Sequence, residues 1–128
     1  MTKGKRESLR YLEDARELLM KSPIEDDTYT DIKCVQEGCA TGYVAVLKAI
    51  DEYLMRKGVD TRDLPQSVNG YGEMLRKYLS VHDGRLTREF EKLYKLLHIA
   101  GYYRGLLDDV NVLKDAFKVA KKFIGKME

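Results

Sequence analysis

Histidine and cysteine, the side chains that most often act as bases, nucleophiles and soft metal ligands near neutral pH, number only two each among 128 residues. His98 stands four residues from both Tyr94 and Tyr102, and Arg104 follows two residues further on. Residues three and four apart share one side of a helix, so Tyr94, His98 and Tyr102 form a polar, aromatic cluster, and Arg104 continues the neighbourhood with Asp108 or Asp109 as its candidate partner. Such a cluster is either a ligand-binding or catalytic face, or a core element in which imidazole and phenol satisfy one another. The second is the reading the residue types favour, because buried polar groups take partners. Cys34 and Cys39 lie five apart. On a helix that spacing separates their Cα atoms beyond the roughly 7 Å limit for a disulfide, and it misses the spacing of zinc-binding cysteines. Both are read as small buried hydrophobes. There is no His-Glu-x-x-His or Glu-x-x-His pattern, and no Ser/His/Asp or Cys/His set follows from spacing. No metal and no cofactor is expected.

Five helices of one all-α, antiparallel bundle account for the apolar spacing and would position that cluster. The first spans residues 5–21, with Leu9, Leu12, Ala15 and Leu19 on one face and Pro23 ending it. Asp26 or Asp27 is the expected cap of a second helix reaching residue 57, followed by Gly58. Ile32, Val35, Cys39, Tyr43, Val46, Ile50 and Tyr53 form its apolar face, and beside them runs a stripe of small residues, Gly38, Gly42, Ala45 and Ala49. A glycine inside a helix costs about 1 kcal/mol against alanine, so two of them imply close packing of a neighbour. Val68, Tyr71, Leu75 and Tyr78 mark a weaker third helix, for which Asp63 and Pro65 are candidate start signals. The fourth, residues 85–104, carries Leu86, Phe90, Leu93, Leu97 and Ala100, and its wide apolar stripe predicts the central position. Asp108 or Asp109 caps the fifth, which buries Val110, Leu113, Phe117, Ala120 and Ile124 and exposes Lys114, Lys118, Lys121 and Lys122.

Lys+Arg at 23 against Asp+Glu at 21 leaves +2, so no large field of one sign points to nucleic acid or membrane. Strict antiparallel alternation of five helices puts the termini at opposite ends. Lys3, Lys5, Arg6 and Arg10 would then face Asp60, Asp63, Asp108 and Asp109, and the C-terminal lysines would face Glu25, Asp26 and Asp27. The first twenty residues lack the apolar run of a signal peptide and no segment is long enough to span a membrane, so a cytoplasmic, single-domain protein (residues 1–128) is expected.

The second-helix segment GCATGYVAVLKAIDEYLMRKG resembles the second helix of HEPN-like bundles, the higher-eukaryote and prokaryote nucleotide-binding helical superfamily. The segment LYKLLHIAGYYRG looks like the signature of an uncharacterised bacterial group of small bundles near that superfamily. The resemblance implies a HEPN-like fold and homodimers. Ribonuclease members of that superfamily use an Arg followed after four to six residues by His, facing its copy across a dimer. Arg76 and His82, within RKYLSVH, match that spacing, although Lys77 stands where the pattern prefers Asn, Asp or His. A near-neutral base and a cation for the phosphorane charge are what metal-independent RNA cleavage needs. The leading expectation is nevertheless a non-enzymatic interaction module that self-associates or takes a protein partner, with Ala40, Val44 and Met55 on the outer line of helix two as the candidate interface. The alternatives are that metal-independent ribonuclease, using Arg76 and His82, and an RNA-binding subunit using the helix-five lysines without chemistry; RNA is not favoured.

Overall fold

A computed structural model describes residues 6–79 and 84–128. Among them the helices are α1 (Glu7–Met20), α2 (Ile32–Arg56), α3 (Val68–Tyr78), α4 (Arg85–Leu93) and α5 (Val110–Lys126). α4 runs straight on into a π-helical stretch, Tyr94–Tyr103, and a single 3-10 turn, Thr61–Asp63, breaks the link before α3. Strands β1 (Ile24–Glu25) and β2 (Thr28–Tyr29) form one small antiparallel hairpin. The all-α bundle is thus the observed fold class.

Local chemistry explains the helix starts. Asp31, Ser67 and Asp109 each accept a first-turn amide, from Lys33, Gly70 and Val112 respectively. Asp26 and Asp27 do not cap α2 as expected; they occupy the two-residue hairpin loop, with φ of 50° and 59°. Positive φ at both positions is what a type I′ turn requires, and Asp tolerates it better than most residues. Asp63 and Pro65 likewise precede the true cap of α3. The hairpin is held by the chain entering α5: Tyr29 N–H donates to the Asp108 carbonyl at 2.8 Å, and Val110 N–H to that of Asp27 at 2.9 Å.

α2, rather than the fourth helix, is central. It packs on α1, α3, α5 and the π-helical stretch, and buries ten residues from Val35 to Leu54. In the π-helical stretch only Leu97 and Gly101 are buried, because its far side faces outward.

The two termini share one end of the bundle, contrary to strict alternation. Arg6 Nη2 lies 2.8 Å from Glu52 near the end of α2, and Arg6 Nη1 lies 3.0 Å from Glu128. Arg56 donates to the carbonyl of Met127. The long link after α2 causes the difference. It returns part-way up that helix, so Gln66, Ser67 and Val68 sit beside Tyr43 and Leu47 while Tyr71 reaches Asp51. α3 therefore runs in the same direction as α2, and one alternation is lost. Lys126 pairs with Glu89 at 2.9 Å rather than with the hairpin acids, and Asp108 and Asp109 stand at the hairpin end, away from Arg6.

Candidate functional site

Tyr94, His98 and Tyr102 come together as their spacing implied. The ring centroids of Tyr94 and His98 are 5.4 Å apart, and those of His98 and Tyr102 5.7 Å. The backbone beneath them is unusual. π-helical geometry mostly occurs as single-turn bulges, often at functional sites, whereas here it lasts ten residues. Arg104, at its end, is exposed, and its amide donates to the carbonyl of Ile99 at 2.9 Å.

Spacing along one helix does not show what other helices add. Tyr43 of α2 lies 5.1 Å from His98 and 5.8 Å from Tyr94, ring to ring. Tyr71 of α3 stands across from them. Together Tyr43, Tyr71, Tyr94 and His98, with Leu47, Gln66, Ser67 and Val68, line a cleft of about 290 Å³. The described contacts of His98 are ring contacts, stacked with Tyr94 and tilted with Tyr43 and Tyr102. The Tyr71 hydroxyl donates to Asp51 Oδ1 at 2.9 Å, which fixes that ring. Burial pushes the Asp51 carboxyl up, against the opposing effects of the Tyr71 bond and Lys48. Burial, then the Asp51 charge and their shared hydrogen bond, push the Tyr71 phenol up. Tyr43 is pushed up to about 12 by burial and by its neighbour Tyr94. At neutral pH both phenols are protonated and able to donate.

Beside the cleft lies a groove of about 270 Å³ whose wall includes Arg76, Glu91 and Lys95; Val68 and Tyr94 belong to both depressions. The Arg76 guanidinium lies along α3 over Gly72, with Nη1 3.7 Å from where a Cβ on that glycine would stand. His82, the other half of the ribonuclease pairing, lies outside the described residues.

The remaining sequence candidates sit elsewhere. Gly38 and Gly42 form a seam, Gly38 against Leu19 and the Ala15 carbonyl of α1, Gly42 against Phe117 of α5 and Ala15. Ala45 and Ala49 are fully buried. Cys39 is buried, its thiol pushed up to about 12 by that burial, and a Cβ on Gly101 would come 2.5 Å from its sulfur, so only glycine permits this approach. Cys34 is half-buried. Ala40 and Val44 are half-buried and Met55 is exposed. Lys114, Lys118, Lys121 and Lys122 are exposed on α5. Among the described residues no cluster of His, Cys, Asp and Glu could hold a metal, and no helix is long and apolar enough to cross a membrane.

A second surface is distinguished by what it leaves uncovered. Large hydrophobic side chains stand exposed at Met20, Ile24, Ile32, Met55, Tyr102, Tyr103, Leu106 and Val112. All but Met55 lie at the hairpin end: the last residue of α1, the hairpin, the first residue of α2, the end of the π-helical stretch and its loop, and the first turn of α5. Gln36 ties this end together, its side-chain amide donating to the carbonyl of Tyr102 at 3.0 Å.

Among curated proteins nothing matches the chain. Among solved structures it is similar to a protein of unknown function from Dyadobacter fermentans, with 29% identity and a TM-score of 0.76 over 94% of this chain and 89% of that one. Residues 3–128 match the family described as a domain of unknown function, DUF5618, and a match of that extent places the chain in it: the protein belongs to the DUF5618 family.

Proposed function

We propose that this protein is a non-enzymatic interaction module that pairs with a second copy of itself through the hairpin end of the bundle. The observation that carries the reading is the gathering at that end of seven of the eight large hydrophobic side chains exposed among the described residues. Apolar patches of this kind on small proteins mark interaction surfaces. The occupant is argued from charge. Glu25, Asp26, Asp27, Asp31 and Asp108 are exposed there alongside Lys21, Lys33 and Arg104. A patch carrying both signs around an apolar centre can be complementary to itself across a two-fold axis, as an isologous dimer requires. The resemblance to HEPN-like bundles supports pairing, since those commonly form homodimers. In this reading the chain acts as one domain, in the bacterial cytoplasm. The surface differs from the outer line of α2, because Ala40 and Val44 are half-buried and Met55 stands at the other end of that helix.

Sedimentation across a concentration series tests the reading. Tyr103 and Leu106 are 71% and 67% exposed, so Tyr103→Glu with Leu106→Glu leaves the core untouched. The wild type is expected to dimerise, and the double variant to dissociate at least tenfold more readily. A wild type that stays monomeric at hundreds of micromolar, or a dimer indifferent to both charges, would overturn it.

A further inference from the structure

We propose that the cleft between α2, α3 and the π-helical stretch is a binding site for a small planar aromatic ring carrying one anionic group. The inference concerns a different surface from the dimer proposed above and does not depend on it. Four aromatic rings from three helices, those of Tyr43, Tyr71, Tyr94 and His98, converge on a single cavity. The ring pairs made by Phe90 fill core space, whereas the rings around His98 leave about 290 Å³ open, near the lower end of the range for ligand pockets and suited to one or two rings. Offset-stacked and edge-to-face contacts give such a ring an advantage beyond its buried area. Polar groups for orientation are present at the rim, where Gln66 and Ser67 open the first turn of α3.

The charge preference comes from the adjoining groove. Tyr94 forms a wall of both depressions, so a substituent leaving the cleft along that ring enters the space beside Arg76 and Lys95. Against these two cations stands one carboxylate, Glu91, which leaves a net charge of +1. The Arg76 guanidinium folds back along α3 over Gly72, which keeps it at the wall of the groove. The forked guanidinium suits a carboxylate or a phosphate. The first turn of α3, at the positive end of that helix, favours the same sign.

Four probes separate the contributions: benzoate and phenyl phosphate carry ring and charge, phenol the ring alone, and cyclohexanecarboxylate the charge alone. Saturation-transfer NMR and titration calorimetry on the full chain read the binding. Benzoate or phenyl phosphate is expected to bind at least tenfold more tightly than both controls, and the better of the two identifies a carboxylate or a phosphate as the natural anion. Arg76→Gln with Lys95→Gln should lower that affinity at least tenfold, Tyr94→Leu should abolish it, and Glu91→Gln should raise it several-fold, a gain that misfolding cannot imitate. No binding by any probe at millimolar concentration, equal binding of cyclohexanecarboxylate and benzoate, or an affinity indifferent to the Arg76 and Lys95 changes would each overturn the proposal.

Discussion

The two flanks of α2 are built on opposite rules. Toward α1 and α5 it presents Gly38 and Gly42, in one stripe with the fully buried Ala45 and Ala49, and Ala15, Leu19 and Phe117 close over the two glycines. Toward α3 and the π-helical stretch it presents Tyr43, Leu47 and Asp51, and there the packing stops short of closure. Small residues bring backbones together and leave no space against α2 itself; the depression of about 290 Å³ on that side lies farther out, between α1 and α5, and no α2 residue lines it. Large aromatic residues prop backbones apart and line the space they keep open. Stability is thereby concentrated on one side of the helix, and the other is free to carry a site whose shape is not dictated by close packing.

The largest expected effect breaks the closed flank. A Cβ on Gly38 would lie 2.9 Å from Leu19 Cδ2 and 3.1 Å from the Ala15 carbonyl oxygen, and the second of these is backbone that cannot rotate away. Gly38→Leu should destabilise the protein by about 3 kcal/mol or more, at or above the upper range for overpacking a core. Adding a single carbon on each flank makes the matched comparison: Val68→Leu at the wall of the cleft should cost under about 1 kcal/mol because the cavity accepts it, and Gly38→Ala should cost more because Leu19 and the Ala15 backbone stand in the way. Urea unfolding of the variants measures the contrast. Equal losses would show that the two flanks are packed alike.

Two adjacent carboxylates on α2 sharpen the comparison by pH. Asp51 faces the open flank, and burial raises it above its ordinary value of 3.8 despite the Tyr71 bond and Lys48. Glu52 faces α1. Burial works against its charge too, but the Ser8 hydroxyl and amide and the Arg6 guanidinium outweigh that and hold it below 4.5. It accepts from the Ser8 hydroxyl at 2.7 Å and from the Ser8 amide at 3.1 Å, so α2 caps α1, whose own cap residue Arg6 provides no side-chain bond. A lowered carboxyl means that the unfolded chain binds more protons. The stability Glu52 contributes is therefore present above about pH 4.5 and lost as pH falls through its folded-state value. Asp51 has the opposite sign: its contribution is present below pH 3.8 and lost as pH rises through its raised folded-state value. In denaturation midpoints from pH 3 to 7, Glu52→Gln should flatten the acid-side loss and Asp51→Asn should steepen the net rise toward neutrality. Both changes should be smaller than the steric one, since the two side chains are partly exposed and screened. Identical slopes for both variants would contradict the assignment.

How much of this was legible in the sequence follows the range of each interaction. The repeat of apolar residues along α2 and α5, Gly58 after α2 with φ of 96°, and Asp109 as a cap depend on neighbours within a turn or two, and periodicity reads those directly. The hairpin was hidden because its turn is Asp26-Asp27 rather than the Asn-Gly or Asp-Gly pair that announces a type I′ turn, and because its strands have two residues each. The π-helical stretch was hidden because residues four apart share a side in either helical form. Tyr94, His98 and Tyr102 therefore share a side on either backbone, and their spacing does not tell the two helical forms apart. The cleft itself needs Tyr43 and Tyr71 from two other helices, and the direction of α3 that brings them there depends on how the link after α2 folds back. No spacing along the chain encodes that.

The smallest effect tests the open flank from inside α3. Gly72 is buried, yet a Cβ there would meet only Arg76, at 3.7 Å from Nη1 and 4.0 Å from Nη2, which is ordinary contact with the end of a flexible side chain. It sits within a helix, and no positive φ is recorded at this position. Nothing then opposes the gain in helix propensity, and Gly72→Ala should stabilise the protein by about 0.5–1 kcal/mol. The same methyl on Gly38 meets Leu19 and the Ala15 backbone, and Gly38→Ala should destabilise it. Opposite signs for one chemical change, read as shifts in thermal midpoint, are what the difference between the flanks requires. A loss of stability in Gly72→Ala would mean that Arg76 is held against that glycine by packing, and that the groove beside the cleft is as closed as the seam.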